Sequence, residues 1–139
     1  MRLFNINGKL TNKNVSKYKI DWDGASASNL QFNAKQFFKF YWQNHVVYEE
    51  FPVYGTRLRV DIINFTKKIA VEVHGQQHFQ FNKFFHNNSR AKYLDSIKRD
   101  WEKTEWLELN KVKLIELEEK DMNDLSVKYL QEKFDIFIV

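Results

Sequence analysis

Two strand-like stretches of the sequence carry charged side chains at every second position. Arg57, Arg59 and Asp61 alternate with apolar residues in the first stretch, and Glu72 and His74 do so in the second. Side chains two residues apart on a strand point to the same face of a sheet, so each set shares one face. If the stretches are neighbouring strands, two carboxylates and an imidazole meet beside two guanidinium groups.

This combination of side chains fits the hydrolysis of a phosphodiester. Clustered carboxylates on a largely apolar sheet repel each other, and burial disfavours their ionisation, unless a cation or a proton offsets the charge. A divalent metal ion held by Asp61 and Glu72 would do this and acidify a water molecule, while His74 moves a proton. Arg57 and Arg59 are then expected to bind backbone phosphates. The alternative is that both acids lie on the solvent face of an antiparallel sheet and that His74 ends a strand.

The elements that must hold these residues follow from hydrophobic periodicity. Helical spacing of aromatic residues predicts a helix over residues 33–42, and strand-like runs follow at 46–53, 57–65 and 67–74. The connections between these runs are short, so we expect an antiparallel meander.

The rest of the chain predicts a helix, a strand and another helix. A helical pattern runs over 89–109 with Ser89 as its N-cap, a strand covers 111–119, and a helix covers 122–134. Residues 1–30 form a strand-and-turn segment to which we assign no role. The expected order is α-β-β-β-α-β-α. Because the fourth strand follows a helical crossover, it can pair parallel to a meander strand, which predicts an α/β (α+β) fold on a mixed four-stranded sheet.

Composition and charge bound the class of protein. The 139 residues are 43% hydrophobic and 17% aromatic, enough apolar surface for a single folded domain over residues 1–139. Cysteine is absent, so thiolate metal sites are excluded and a hard cation bound by oxygen is favoured. The net charge of +4 mildly favours a polyanionic partner. No membrane-spanning stretch or signal peptide is recognisable, so we expect no membrane partner and an intracellular, cytoplasmic location.

Two stretches carry a family resemblance. They are EEFPVYGTRLRVDIINFTKKIAVEVHGQQH at residues 49–78 and RDWEKTEWLELNKVKLIELEEKD from residue 99. They resemble the small PD-(D/E)XK nucleases related to very-short-patch-repair endonucleases, and especially the phage-associated homing-type group described by an E-D-x-H-D pattern. The likeness covers residues 32–117. It implies a restriction-endonuclease-like fold, Mg²⁺ or Mn²⁺ as the cofactor, double-stranded DNA as the substrate, and a bacterial or phage-infected host cell.

The superfamily motif maps onto the residues singled out above. An acid on its second core strand corresponds to Asp61, and its acid-x-lysine element corresponds to Glu72-Val73-His74. The resemblance implies that Asp61 and Glu72 bind the metal. Two positions depart from the motif, because Val60 stands where proline is usual and His74 where lysine is usual. The histidine favours proton transfer over simple charge stabilisation, since imidazole titrates near neutral pH.

The leading acid of the four-residue pattern corresponds to Glu50, one strand upstream. This residue would bind the metal through water or complete the acidic patch. Glu49 is the alternative. Strand alternation places Glu49 with Val47, Phe51 and Val53, which are expected to face the core, so Glu50 is preferred.

The residues after the third predicted strand resemble the G-x-Q-H turn of these nucleases. Gly75 would let the backbone approach a phosphate, and Gln77 and His78 could reach the leaving side of the reaction. The alternative is a plain turn with a surface histidine.

On the long predicted helix, Asp100 matches the last acid of the pattern. It is expected to orient His74 or His78, while Lys103, three residues along the same helical face, and Arg99 contact DNA phosphates. The alternative is a solvated set of ion pairs.

Three classes of function stay open on the sequence. A DNA endonuclease is favoured over a non-catalytic nucleic-acid-binding module on a nuclease fold, because a binding surface gains nothing from acids that repel phosphate. A structural accessory protein would have no metal affinity. One cluster cuts one strand at a time, so concerted double-strand cleavage needs two chains, and a weak homodimer through the apolar residues 134–139 is expected. The alternative is that this tail forms an edge strand or covers its own core.

Overall fold

The computed structural model describes residues 1–75 and 90–139. Within them the chain forms a small N-terminal hairpin and a mixed α/β unit with a four-stranded sheet and three helices, in the predicted order. The strands are β1 (Arg2–Phe4), β2 (Leu10–Asn12), β3 (Val47–Pro52), β4 (Arg59–Asn64), β5 (Ile69–His74) and β6 (Lys113–Glu118), the helices are α1 (Asn29–Trp42), α2 (Arg90–Leu109) and α3 (Val127–Phe134), and 3-10 turns cover Ser16–Tyr18 and Glu119–Asn123.

The larger sheet has the strand order β3-β4-β5-β6. β3 pairs antiparallel with β4, and β4 with β5, as the short connections predict. β5 and β6 are parallel and in register from Ile69↔Lys113 to His74↔Glu118. This parallel pair is possible because α2 lies between the two strands in sequence and returns the chain to the end of the sheet at which β5 starts. The predicted mixed sheet is therefore confirmed.

Helices cover both faces of this sheet. On β5, Ile69 and Val71 belong to one buried cluster and Ala70 to another, so the two clusters lie on opposite faces. α1 contributes Phe38 to the first cluster, and α2 contributes Trp106 to the second. The sheet is thus packed between α1 and the C-terminal part of α2. Among the described residues, no helix is long and apolar enough to cross a membrane.

The boundaries of the helices differ from the predicted ones for local reasons. α1 begins four residues earlier than predicted, because the Ser28 side chain caps it by accepting from the Gln31 N–H at 3.1 Å. The predicted helix 122–134 is divided, since a capping box between Glu118 and Asp121 closes a 3-10 turn and Ser126 starts α3 afresh. Ser89, the predicted cap of α2, lies outside the described residues.

The C-terminal tail covers its own core. Ile136 and Ile138 are buried, and the Trp42 Nε1–H donates to the Ile138 carbonyl at 2.8 Å. The expectation that residues 134–139 form an exposed contact patch between two chains is wrong for these inward-facing side chains. Only Phe137 and Val139 of its large apolar side chains are exposed. Side chains in the tail thus alternate between buried (Ile136, Ile138) and exposed (Phe137, Val139).

Candidate active site

The site is built where β4 and β5 move apart. Their ladder ends at Ile62↔Val71, one position before Asp61 and Glu72. Beyond it, the Asp61 N–H donates to Glu72 Oε2 at 3.0 Å, and the Val73 N–H donates to Asp61 Oδ2 at 2.8 Å. Each carboxylate therefore bonds to the backbone of the opposite strand, in place of ladder hydrogen bonds. The two acids lie together, as expected from the hairpin.

Burial makes this pair electrostatically costly. Glu72 is only 4% exposed, and Asp61 is half-buried. Burial raises the pKa of Asp61 to about 8, and the charge of Glu72 and a hydrogen bond with the Glu72 carboxyl add to this effect. The Val73 N–H and the charge of Lys103 act in the opposite direction. Without a cation, Asp61 therefore holds a proton at neutral pH.

Lys103 of α2 reaches the pair directly. Its Nζ donates to Glu72 Oε1 at 2.6 Å, and the two side chains are 23% and 6% exposed. The lysine faces the sheet because Trp106 and Leu107, three and four residues later on the same helical face, are buried against the sheet. The sequence pattern predicts a phosphate contact for Lys103, whereas in the structure its ammonium is held by Glu72.

His74 lies on the same face of β5 as Glu72. Its Nε2 is 3.5 Å from Glu116 Oε1 on β6, and the imidazole is 12% exposed. The sequence motifs do not single out Glu116. Two features of β6 could have identified Glu116. Alternation along the strand buries Ile115 and Leu117 on the other face, and the register pairs Glu116 with Glu72 of β5. A carboxylate beside His74 Nε2 stabilises the imidazolium that forms when His74 takes up a proton.

The backbone of β3 changes direction at Glu50. This residue has φ 51°, a left-handed conformation that non-glycine residues rarely adopt. As a result Tyr48 and Phe51, three residues apart, belong to the same buried cluster. The alternation assumed for this strand is therefore wrong, since Glu49 does not share a face with Phe51. Gln31 Nε2 donates to both Glu49 Oε2 at 2.9 Å and Glu50 Oε1 at 3.1 Å.

Glu49 forms an ion pair with Lys35 that the sequence pattern does not predict. Lys35 of α1 is fully buried, and its Nζ donates to Glu49 Oε1 at 3.1 Å and to the carbonyls of Asp21 and Gly24 at 2.9 and 2.7 Å. These bonds use all three ammonium hydrogens. Glu49 thus neutralises a buried cation. The pairing Glu49↔Ile62 and Phe51↔Val60 places Glu50 level with Asp61.

The remaining predicted site residues lie around this centre or outside the described part. Arg57 and Arg59 are exposed at the start of β4. Arg99 and Asp100 are exposed on α2, where Arg99 Nε donates to the Asp95 carbonyl at 3.4 Å. Asp100 lies one helical turn before Lys103. Gln77 and His78 fall in residues 76–89 and lie outside the described residues.

Among residues 1–75 and 90–139, no group of three or more histidine or acidic side chains is arranged to hold a metal ion. Asp61 and Glu72 offer a half-buried and a buried carboxylate, and Mg²⁺ is commonly held by one or two carboxylates with water completing its octahedron. The proton retained by Asp61 marks a place where a cation would relieve the repulsion between the two acids. The donor set therefore fits a hard divalent ion.

Comparison with known proteins gives one partial likeness. Over 52 aligned residues the chain is 42% identical to "Uncharacterized protein 033L" of Invertebrate iridescent virus 3. The alignment covers 34% of this chain and 27% of that protein. The chain thus spans about a quarter of the length of the viral relative. No family model matches the chain, and no solved structure matches it.

Proposed function

We propose that this protein is a metal-dependent endonuclease that hydrolyses phosphodiester bonds of double-stranded DNA on a restriction-endonuclease-like fold. The observation that carries the proposal is the Asp61–Glu72 pair at the point where β4 and β5 diverge, with Lys103 and His74 on the side of α2. Two acids this close on a largely buried site repel each other unless a proton or a cation offsets their charge, and phosphodiester hydrolysis uses such a cation.

Each side chain then has a distinct role. Asp61 and Glu72 would bind the metal, and a bound Mg²⁺ or Mn²⁺ would polarise the scissile phosphate and acidify a water molecule. Lys103 orients Glu72 and adds positive charge beside the phosphate. His74 accepts the proton of the attacking water, and Glu116 stabilises the imidazolium that forms.

The other predicted residues surround these four. Arg57, Arg59 and Arg99 are exposed and free of the core, as side chains that contact backbone phosphates must be. The resemblance alone assigns Glu50 to the acidic patch, Asp100 to the orientation of His74 or His78, and Gln77 and His78 to the leaving side of the reaction. The phage-associated, homing-type assignment and the action inside a host cell rest on the resemblance, and the partial relative is itself a viral protein of uncharacterized function.

Cleavage of supercoiled plasmid with Mg²⁺ tests this proposal. We expect the wild-type protein to convert the plasmid to nicked product and EDTA to abolish the reaction. Asp61→Asn should lower the rate at least about 100-fold, because the metal and its water lose a ligand. Asp23→Asn is the matched control, since Asp23 is 78% exposed and forms an ion pair with Lys39, outside the candidate active site. Full activity in Asp61→Asn, or equal losses in both variants, would overturn the proposal.

A second candidate is a non-catalytic module that only binds nucleic acid. The observation in its favour is the Lys103–Glu72 ion pair, which neutralises one of the two acids without any metal. Such a module would bind duplex DNA equally well with and without Mg²⁺ and leave the plasmid uncut. In the same assay, retention of intact supercoiled plasmid by a protein that shifts it on a gel would identify this function.

A further inference from the structure

A lysine-lined cavity lies at the other end of the sheet from the candidate active site. It has a volume of about 180 Å³ and includes Ile69, the first residue of β5. None of its lining residues in the described part is acidic. Four of them are lysines from the turns and strand starts at the β5 and β6 ends, namely Lys67, Lys68, Lys111 and Lys113.

Two of these lysines adopt an unfavourable backbone conformation. Lys68 and Lys111 both have φ 59°. A left-handed conformation strains any residue with a Cβ atom, and glycine or asparagine is the usual choice at such a turn. The two turns are tied together, because the Lys113 N–H donates to the Lys68 carbonyl at 2.9 Å. Backbone strain retained for two lysines at one cavity points to a use for their charge.

The charges at this cavity are not balanced by nearby carboxylate side chains. Lys67 Nζ donates to the carboxyl-terminal oxygen of Val139 at 3.2 Å and so has a negative partner, whereas Lys68 Nζ lies 5.4 Å from the centre of the Phe65 ring. Among the described residues, no aspartate or glutamate lies within ion-pair distance of any of the four lysines. By contrast, Lys39, Lys103 and Lys128 are ion-paired. A polyanion would supply the missing negative charge.

We propose that these four lysines, here called the lysine end, bind the phosphate backbone of the same DNA duplex that is cut at Asp61 and Glu72. The inference rests on the proposed function. Glu72 lies three residues along β5 from Ile69, which corresponds to about 10 Å of strand. At about 3.4 Å per base pair along the duplex, the lysine end contacts phosphates about three to five base pairs from the cleaved bond.

The test is duplex binding in EDTA, where no cleavage occurs, measured over a range of salt concentrations. Lys68→Gly/Lys111→Gly removes two charges and relieves the strain at both turns. We expect the slope of log K against log salt to fall by about 1.8 and the affinity at about 0.15 M salt to fall on the order of 10- to 30-fold. The melting temperature should be equal to or higher than that of the wild type, so weaker binding cannot be attributed to misfolding.

Two further variants complete the design. Lys39→Gln/Lys128→Gln removes the same net charge from lysines that are already paired with Asp23 and Glu132, and its salt slope should stay close to that of the wild type. Lys67→Gln/Lys113→Gln removes charge from the lysine end without altering a strained residue, so it covers the case in which the glycine variant fails to fold. Its slope should fall by between about 0.9 and 1.8, because Lys67 already contacts the carboxyl-terminal oxygen of Val139.

The outcomes separate the lysine end from the candidate active site. If the wild type cuts plasmid but neither lysine-end variant changes the slope more than the control does, the inference is overturned and the proposed function stands. If the lysine-end variants lower the slope but no protein cuts plasmid, the lysine end is supported and the proposed function fails. Absence of duplex binding by the wild type overturns the inference, while plasmid cleavage with Mg²⁺ decides the proposed function separately.

Discussion

At the scale of single residues, the ionisation of Asp61 is coupled to folding. Its carboxyl accepts the Val73 N–H and lies beside the buried Glu72, so ionising it places a second negative charge in a site with little water. Burial and Glu72 together raise the pKa of this carboxyl well above its unfolded value. The folded protein therefore holds the proton of Asp61 more tightly than the unfolded chain does. A cation bound between Asp61 and Glu72 would reduce the repulsion between the two carboxylates.

The pH dependence of stability has a definite sign. Because the folded-state pKa of Asp61 is raised from 3.8 to about 8, its favourable contribution is complete below about pH 4 and is lost as the pH rises through about 8. We expect Asp61→Asn, which keeps an oxygen for the Val73 N–H, to gain stability relative to the wild type between about pH 5 and pH 9. The gain should grow by at most about 1.4 kcal/mol per pH unit up to pH 8, which is on the order of 4 kcal/mol across this range.

Urea denaturation of both proteins across that range, in EDTA, measures the difference. Asp23→Asn provides the control, because it makes the same chemical change at an exposed carboxylate outside the candidate active site. A difference between Asp61→Asn and wild type that stays constant over the whole range would show that Asp61 is ionised throughout.

The ion pair between Lys103 and Glu72 is expected to contribute measurably to the stability of the folded protein. Lys103→Met keeps most of the aliphatic packing but leaves the Glu72 carboxylate buried without its cation, so we expect a loss of about 1–3 kcal/mol, less than for a fully buried pair because Lys103 is partly exposed. In the double variant Glu72→Gln/Lys103→Met much of this loss should be recovered. A double-mutant cycle with no coupling between the two positions would contradict the observed ion pair.

At the scale of the elements, the hairpin of β4 and β5 shows what alternation can predict. Period-two patterning places Glu72 and His74 on one face of β5, and the short turn makes β4 its neighbour, so the meeting of Asp61 with Glu72 follows from the sequence pattern alone. The parallel partner β6 also follows from the order of elements. Glu116 could have been found by extending the same alternation to β6.

Other parts of the site depend on features that patterning does not contain. A left-handed residue at Glu50 reverses the faces of β3, and no glycine or turn signal announces it. The buried Lys35 breaks the usual rule that lysine is exposed, because a helix, a loop and a strand converge on its ammonium. Periodicity describes each element separately, whereas these two features arise from contacts between elements.

The neighbouring acids of β3 allow a matched comparison. Glu49→Gln leaves the Lys35 ammonium buried without a negative partner, and we expect it to lose roughly 2–4 kcal/mol of stability. Glu50→Gln keeps an amide oxygen for Gln31 and should change stability by less than about 1 kcal/mol while slowing plasmid cleavage. Thermal unfolding and cleavage of the two variants decide the point. Equal stability losses would mean that Glu50 is also structural.

At the scale of the whole molecule, one chain supplies one Asp61–Glu72 pair. Under the proposed function, one pair positions one water molecule against one phosphodiester, so a single chain should nick rather than cut through. The C-terminal tail buries Ile136 and Ile138 in its own core and leaves Phe137 and Val139 as its exposed apolar side chains. Any association through this tail therefore has little apolar area available and should be weak.

Plasmid cleavage over a protein concentration series examines this expectation. Nicked circles should dominate at low concentration, and linear product should rise as the protein concentration rises. Sedimentation at the same concentrations gives the oligomeric state. Linear product that forms without a nicked intermediate at the lowest concentrations, from a species that sediments as a monomer, would contradict it.

Cation binding at the Asp61–Glu72 pair is tested most directly by calorimetric titration of the metal-free protein with Mn²⁺ at about pH 7, repeated in two buffers that differ in ionisation enthalpy. We expect one bound ion per chain and the release of close to one proton per ion, because the cation displaces the proton held by Asp61. Asp61→Asn should lose both the binding and the proton release, and Asp23→Asn should keep both. Absence of Mn²⁺ binding by the wild type, or the same binding and proton release in Asp61→Asn, would contradict a metal site at this pair.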